Sequence, residues 1–394
     1  MSKRHCSARN PYIRRKGELT SWTNVQPGVR SLNQSTVSEQ RCMMTQERRN
    51  LLPGVPKVES PFFADFFDAG STSPVVYDAA VQLNKNGYAI IDFPDTEIDS
   101  VAERIARDLH DSYDWNAFRS TGIGLRLQDA WQTNDDVRRL AVNQAVIDLL
   151  TALYGRRAWP FQTLNFPVGT QQHFHTDSVH FSSMPERFMC GVWIPLEDIG
   201  LEQGPLIYYP GSHRWPVYSN EHIGHRHSDT FSTSQSVFEE MWERLVEVHE
   251  VEPIRLEIPR GKALIWAANL LHGGDTQHDK SKTRWSQVTH YFFDDCAYYT
   301  PLNSDLPAGV IDYRRPFNIV TGEPSENFHL GNQIDRDFIA SVSPRSVKAN
   351  QPLAHFDAEA YLRANPDVAA AGEDAFNHWT KHGRAEGRAL RPNE

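Results

Sequence analysis

Cysteine is scarce: Cys6, Cys42, Cys190 and Cys296 are the four in 394 residues, and they form no CxxC pair and no dense framework. A zinc ribbon and a disulfide scaffold are therefore excluded, and a reducing cytoplasm is the expected compartment. No run approaches the roughly eighteen uninterrupted apolar residues that a membrane span requires. The N-terminal stretch carries no apolar segment of the secretory kind. Several common chemistries also lack their motifs. There is no GxSxG elbow and no GxxxxGK[ST] phosphate loop; HEVEP at 249–253 lacks the second histidine of a zinc-protease helix, and GIG at 122–124 is too short for a dinucleotide fingerprint.

Hydrophobic residues make up 39% and charged residues 23%, which suits a globular chain with a substantial core. The net charge of −10 conceals an asymmetry, because residues 1–57 hold eleven Lys and Arg against three Glu. The remainder is strongly acidic, which argues against a nucleic-acid-binding core. Residues 1–60, with RRK at 14–16, lack hydrophobic periodicity and read as a basic, flexible leader.

Beyond the leader, GYAIIDF at 87–93 reads as a buried strand. Asp99 is placed to cap SVAERIARDLHDSY, where Val101, Ile105 and Leu109 share one helical face. A second helical pattern covers about 134–154 and stops at Gly155. From 159 to 295 the character changes to short segments such as WPFQTLNF, RFMCGVWIPL, PLIYYP, ALIWAA and TRWSQVTHYFF, punctuated by Pro and Gly. Many short strands of this kind predict a mainly β sandwich or barrel with flanking helices, interrupted by one helix at 235–249. The main domain is expected over 75–340, and residues 353–394 return to helical spacing as a small C-terminal module.

The chemistry concentrates in QQHFHTDSVH at 171–180. On a strand, residues i and i+2 project together, so His175 and Asp177 would point the same way, about 7 Å apart along the backbone. Imidazole and carboxylate suit a first-row metal, but a third ligand must arrive from elsewhere. His272 in ALIWAANLLHGGD is the best placed, following an apolar strand and preceding Gly273 and Gly274, which permit close approach. His-x-Asp with a distant His is the spacing of the facial triad that leaves Fe(II) positions open for a co-substrate and O₂. Downstream, Arg284, Ser286, Val288 and His290 fall on one strand face. A guanidinium facing a metal cavity calls for an anion. The distal carboxylate of 2-oxoglutarate would supply one, with Ser286 as a further donor.

These residues resemble the phytanoyl-CoA dioxygenase family of iron- and 2-oxoglutarate-dependent oxygenases. The likeness rests on HFHTD, on VWIPLEDIGLEQGPLIYYPGSHR at 192–214 and on LLHGGD followed by TRWS, and it spans about 80–300. It implies a double-stranded β-helix, the jelly-roll or cupin-like core. By position it makes His175, Asp177 and His272 the iron ligands and Arg284 the anchor of 2-oxoglutarate. Trp193 falls where the family often has a tryptophan near the co-substrate, and Asn165 near a position that often contacts it. One departure is Gly274, where the family often carries Ser or Thr; Ser286 then takes over that role or nothing does. Related halogenases lack the carboxylate ligand, so the presence of Asp177 implies hydroxylation of a small organic substrate using O₂.

Other histidines compete. His173 shares a face with His175 and reads as an outer-shell or substrate-facing group. His290 is either a core histidine or a contact to bound molecules. His222, His225 and His227 lie in a polar stretch with no strand to fix them; they read as loop histidines, or as part of a lid. The C-terminal module, YLRANPDV…HG…EGR, resembles short helical elements of bacterial surface-polysaccharide enzymes and glycosyltransferases, which implies a bacterial source and a carbohydrate or envelope-related substrate; it reads as a docking or packing unit, or as a helical cap packed against the barrel. Two rival functions remain open, a non-catalytic jelly-roll binding or scaffold protein and a metal-dependent sugar isomerase or epimerase.

Overall fold

The computed structural model describes residues 50–122, 124–225, 235–344 and, apart from 373, 384, 385 and 387, 358–389. Most of the basic leader, together with Cys6, Cys42 and His227, lies outside the described residues.

Eleven strands build the body: β1 (Tyr88–Asp92), β2 (Leu127–Gln128), β3 (Ala158–Phe166), β4 (Ser182–Met184), β5 (Met189–Pro195), β6 (Leu206–Tyr208), β7 (Ile254–Arg255), β8 (Lys262–Ala267), β9 (His272–Gly274), β10 (Ser286–Phe293) and β11 (Ala297–Tyr299). Six form one antiparallel sheet in the order β1-β8-β5-β10-β3-β2, and three form a second in the order β7-β6-β9. Neighbours in the large sheet come from distant parts of the chain, the crossing connectivity of a jelly roll. β4 and β11 pair separately.

The period of two sorts each large-sheet strand between two cores. Val192 and Ile194 of β5 and Ala263 and Ile265 of β8 pack in the cluster shared with the helices. Trp193, Leu264, Trp266 and Val288 face the other way, against Tyr208, Leu256 and Ile258 around the small sheet. Functional side chains can therefore enter the inter-sheet space only from alternate positions.

Four helices cover the outer face of the large sheet, and a fifth packs through Phe238 and Trp242 against Tyr209 and Leu271. α1 (Pro74–Asn86) has Pro at its first position and ends on Gly87, whose φ of 85° closes the last turn. α2 (Ile98–Leu109) buries Val101, Ala102, Ile105 and Leu109 as the spacing predicts. Its start differs from the expectation: Asp99 lies inside the first turn and pairs with Arg260 at 2.7 Å instead of capping. The single helix expected over 134–154 is two, α3 (Asp135–Ala141) and α4 (Gln144–Tyr154). Asn143 causes the break, since its side chain accepts the N–H of Val146 and caps a new helix. α5 (Ser236–His249) matches the expected 235–249 helix.

The leader is shorter than expected at its C-terminal side. Val58 is buried and Glu59 pairs with Arg187, so residues 57–60 belong to the packed body. Near the C-terminus, helices at Ala358–Ala364 and Pro366–Ala370 enclose a small cluster around Tyr361 and Val368. Among the described residues no helix is long and apolar enough to cross a membrane.

Candidate metal and co-substrate site

His175 and His272 are set opposite each other by backbone bonding. The His175 N–H donates to His272 O at 2.8 Å and the His272 N–H donates to His175 O at 2.9 Å. This bridge adds His175 to the edge of the small sheet beside β9. Asp177 is not on a strand, contrary to the alternation argument: it opens a 3₁₀ turn, Asp177–Val179. The carboxylate reaches the imidazoles because the chain turns inward there, and not because i and i+2 share a face.

Both rings are held in one orientation. His175 Nδ1 lies 3.0 Å from His173 O and His272 Nδ1 lies 2.9 Å from Leu270 O. A carbonyl can only accept, so each Nδ1 carries a proton and Nε2 is the ring atom left to face a metal. Asp177 Oδ1 lies 3.7 Å from His175 Nε2 and 3.9 Å from His272 Nε2. Ligand atoms of the three residues fall within 4.8 Å of one another, and among the described residues they form a group that can hold a metal ion. Electrostatics match that use. Burial, then the neighbouring His272, depress the His175 imidazole to about 3, so it is neutral at physiological pH. For Asp177 burial pushes upward, but His272, His290 and His175 outweigh it and hold the carboxyl well below its usual range. Neutral imidazoles and an ionised carboxylate are the states that bind Fe(II).

A cavity of about 340 Å³ opens from these groups between the sheets. Arg284 enters it from two residues before β10 and not from the strand itself, 1% exposed, with Nη1 donating to Gly204 O at 2.8 Å. Its guanidinium lies 6.0 Å from the Trp193 ring. Arg284 Nε, Trp193 Nε1 and Ser286 Oγ are all buried without partners. Burial alone lowers the Arg284 guanidinium to about 10. A buried cation with no anionic partner among the described residues, beside the orphaned Trp193 N–H, fits the carboxylate of a small dianion such as 2-oxoglutarate; Ser286 is not among the residues that line the cavity.

Asn165 does not share this arrangement. Its side chain lies on the opposite face of β3, where Nδ2 donates to Gln287 Oε1 at 3.3 Å beneath the helices. The period of two explains the error, since Leu164 and Phe166, its neighbours on β3, face the cavity. His173 also turns away, its Nε2 3.0 Å from Glu243 Oε1 on α5. His222 is exposed and bonded to Ser219, and neither it nor His225 belongs to the group of His175, Asp177 and His272. His290 does face the cavity, with Nδ1 3.0 Å from Gln162 Oε1 and Nε2 3.6 Å from Asp177.

Gly273 and Gly274 make room for backbone. A Cβ on Gly273 would stand 2.8 Å from Gln172 O, and one on Gly274 would stand 2.4 Å from Thr170 Oγ1. A Ser or Thr at 274 would collide with the segment leading to His175. Sequence reasoning also missed Trp266, whose Nε1 donates to Asp177 Oδ2 at 2.7 Å. Alternation in ALIWAA puts Trp266 on the inward face with Leu264, but its place opposite Gly191, and so its reach to Asp177, is set by the pairing of β8 with β5. Arg126, Gln162 and His180 line the same cavity and carried no recognisable signal.

No curated protein matches the chain in sequence. Among solved structures, the fold is similar to the epimerase SnoN from nogalamycin biosynthesis in complex with Fe3+, alpha ketoglutarate and nogalamycin RO. That likeness has 20% identity and a TM-score of 0.47, covering 64% of this chain and 95% of that one. EctD from S. alaskensis with bound Fe is similar at 16% identity and a TM-score of 0.45, covering 67% and 90%. The sequence pattern of the phytanoyl-CoA dioxygenase (PhyH) family matches residues 83–284, just over half the chain. That span runs from α1 to Arg284 and contains both histidines, the aspartate and the orphaned Trp193. The chain therefore belongs to the phytanoyl-CoA dioxygenase family, whose cofactors are Fe(II) and 2-oxoglutarate.

Proposed function

We propose that this protein is a hydroxylase of a small organic substrate, coupling the reaction to oxidative decarboxylation of 2-oxoglutarate to succinate and CO₂. The observation that carries the reading is the juxtaposition of His175, Asp177 and His272 with the Arg284 guanidinium, buried with its Nε unpartnered, in one cavity. An inert scaffold has no use for a buried, uncompensated cation, which costs stability. Asp177 favours hydroxylation over halogenation because it fills the position a halide would need.

Iron bound with 2-oxoglutarate supplies O₂ activation. The protein's own residues do the rest. His175, Asp177 and His272 would hold the metal from one side, their Nδ1 and Oδ2 atoms tied back so that the ligating atoms point inward. Arg284 and Ser286, with the Trp193 N–H beside them, would orient 2-oxoglutarate through its distal carboxylate. The inter-sheet walls, including Phe166, Phe181, Leu206 and Val288, exclude water from the reacting centre.

The test is a metabolite screen for substrate-stimulated succinate formation under air with Fe(II) and 2-oxoglutarate. The expected hit yields product heavier by one oxygen, labelled from ¹⁸O₂. Succinate release with an unoxygenated, isomerised product would replace hydroxylation by another reaction of the same class. No O₂ consumption with any substrate, and no visible absorption band near 500 nm with anaerobic Fe(II) and 2-oxoglutarate, would refute the enzymatic reading.

A further inference from the structure

Asp177 offers the two imidazoles only one of its oxygens. Oδ1 faces His175 and His272. Oδ2 accepts the Trp266 indole N–H at 2.7 Å, with both residues 3% exposed. Such a bond, to an ionised acceptor in a dry site, is of the strong class. The indole has a fixed seat. On β8, Trp266 pairs across to Gly191 of β5 on one side and Tyr88 of β1 on the other. A Cβ placed on Gly191 would stand 2.2 Å from Trp266 Cζ2 and 2.3 Å from Cε2. The ring therefore occupies the space that any larger residue at 191 would fill. Its other side stands beside His272, with ring centroids 5.0 Å apart.

We propose that Trp266 is a positioning residue of the metal centre: it engages Asp177 Oδ2 so that the carboxylate binds through one oxygen, and Gly191 provides the indole's seat. This rests on the metal reading of His175, Asp177 and His272. A carboxylate with both oxygens free can take two positions on one ion. With Oδ2 engaged it takes one, and the position saved stays available to co-substrate and O₂. The indole also fixes the carboxylate's rotation, which a mobile side chain would have to give up on binding. In this account Trp266 and Gly191 are a pair, and neither has its effect without the other.

The experiment uses the full chain, stripped of metal, in four variants: Trp266→Phe, Trp266→Leu, Gly191→Ala, and Gly191→Ala combined with Trp266→Leu. Co(II) is the probe, and two quantities are read: its dissociation constant, and its visible absorption, whose intensity follows coordination number. Trp266→Phe keeps a ring but loses the donor. It is expected to weaken Co(II) by about 10- to 100-fold, the usual range for partners of metal ligands, and to alter the absorption. Gly191→Ala should produce the same loss alone but add nothing in the Trp266→Leu background, where no indole remains to displace. Wild-type affinity and an unchanged spectrum in Trp266→Phe would overturn the indole's role. A Gly191→Ala effect that persists undiminished in the Trp266→Leu background would overturn the pairing. If instead the unaltered protein binds no Co(II), or His272→Ala binds it normally, the metal centre itself is wrong and the proposal falls with it.

Should Trp266→Phe fail to fold, the unaltered protein still decides. Its assigned Trp266 indole N–H resonance should exchange slowly with solvent and move on addition of Zn(II). A rapidly exchanging resonance that Zn(II) leaves in place would overturn the proposal.

Discussion

Replacing Arg284 by methionine should damage co-substrate binding and improve the fold. Methionine keeps most of the volume and removes the charge. Arg284 is 1% exposed, and burial alone lowers its folded pKa to about 10. That drop is a penalty of about 3 kcal/mol on the charged form, at about 1.4 kcal/mol per pKa unit. Because the folded value is depressed, the penalty is present in full at every pH below about 10 and disappears only as pH rises well beyond it, so a neutral-pH assay reads all of it. Against this stands the bond to Gly204 O, worth about 1–2 kcal/mol including the carbonyl left behind. The net expectation is about 1–2 kcal/mol of stabilisation, or an apo Tm raised by roughly 2–5 °C. With 2-oxoglutarate the sign reverses. Removing one partner of a buried, hydrogen-bonded ion pair costs about 3–5 kcal/mol, so affinity should fall by roughly 10²- to 10³-fold. Scanning calorimetry of the apo variant and titration of 2-oxoglutarate onto the Mn(II)-loaded protein measure the two halves. A lower Tm together with unchanged 2-oxoglutarate affinity would show that Arg284 is a satisfied structural cation and refute the reasoning.

Ser286→Ala removes a buried hydroxyl that has no partner; apo stability should rise by about 1–3 kcal/mol while 2-oxoglutarate binds about 2- to 10-fold more weakly, as calorimetry and equilibrium titration would read. His272→Ala should abolish the Fe(II)–2-oxoglutarate band, whereas His173→Ala, whose ring pairs with Glu243 away from the ligands, should leave it intact; the reverse pattern in an anaerobic spectrum would displace the ligand assignment. Acid should destabilise the fold. Burial, then Arg214, drive the His213 imidazole down to about 4, so the native state stays neutral where the unfolded chain takes a proton. His213 stability is thus complete above pH 6.5 and is lost as pH falls from 6.5 toward 4, by about 3 kcal/mol, and the apo Tm profile should be shallower in His213→Asn.

The strands from GYAIIDF to TRWSQVTHYFF were legible because apolar alternation and Pro or Gly punctuation are local properties, and the sheet preserves them. Partners were not legible. Nothing local in ALIWAA says that its tryptophan will cross to Asp177, since that contact depends on β8 lying beside β5, where Gly191 leaves the space. Asn165 failed for a related reason: placing a residue near the correct strand position does not fix its face, and a shift of one residue moves it to the helix side. The break at Asn143 went unread because Leu140, Val142 and Val146 keep a helical apolar pattern across it. Only the competition between a side-chain cap and the next backbone bond stops the helix there. His175 and Asp177 were found by a spacing rule whose geometric premise does not apply, since the chain bends between a bridge and a turn. The ligand pattern is readable in sequence while the backbone path that produces it is not.

Around the cavity the fold keeps groups that stability alone would not choose. The unpartnered groups of Arg284, Trp193 and Ser286 cost about 1–3 kcal/mol each when buried. Their total is comparable with the 5–15 kcal/mol by which a typical domain is stable at all. A sequence optimised for folding would replace them with apolar residues, which the surrounding core could accommodate. Keeping them is understandable only if a ligand meets them, and any ligand that binds the folded state alone returns its binding free energy to stability. The large clusters on both sides of the main sheet, from Val101 and Leu150 under the helices to Leu264 and Ile258 between the sheets, supply the margin that lets the fold carry this deficit. The seat of Trp266 on Gly191 serves the same end, because it holds Asp177 rigid before any metal arrives and leaves less ordering to be done on binding.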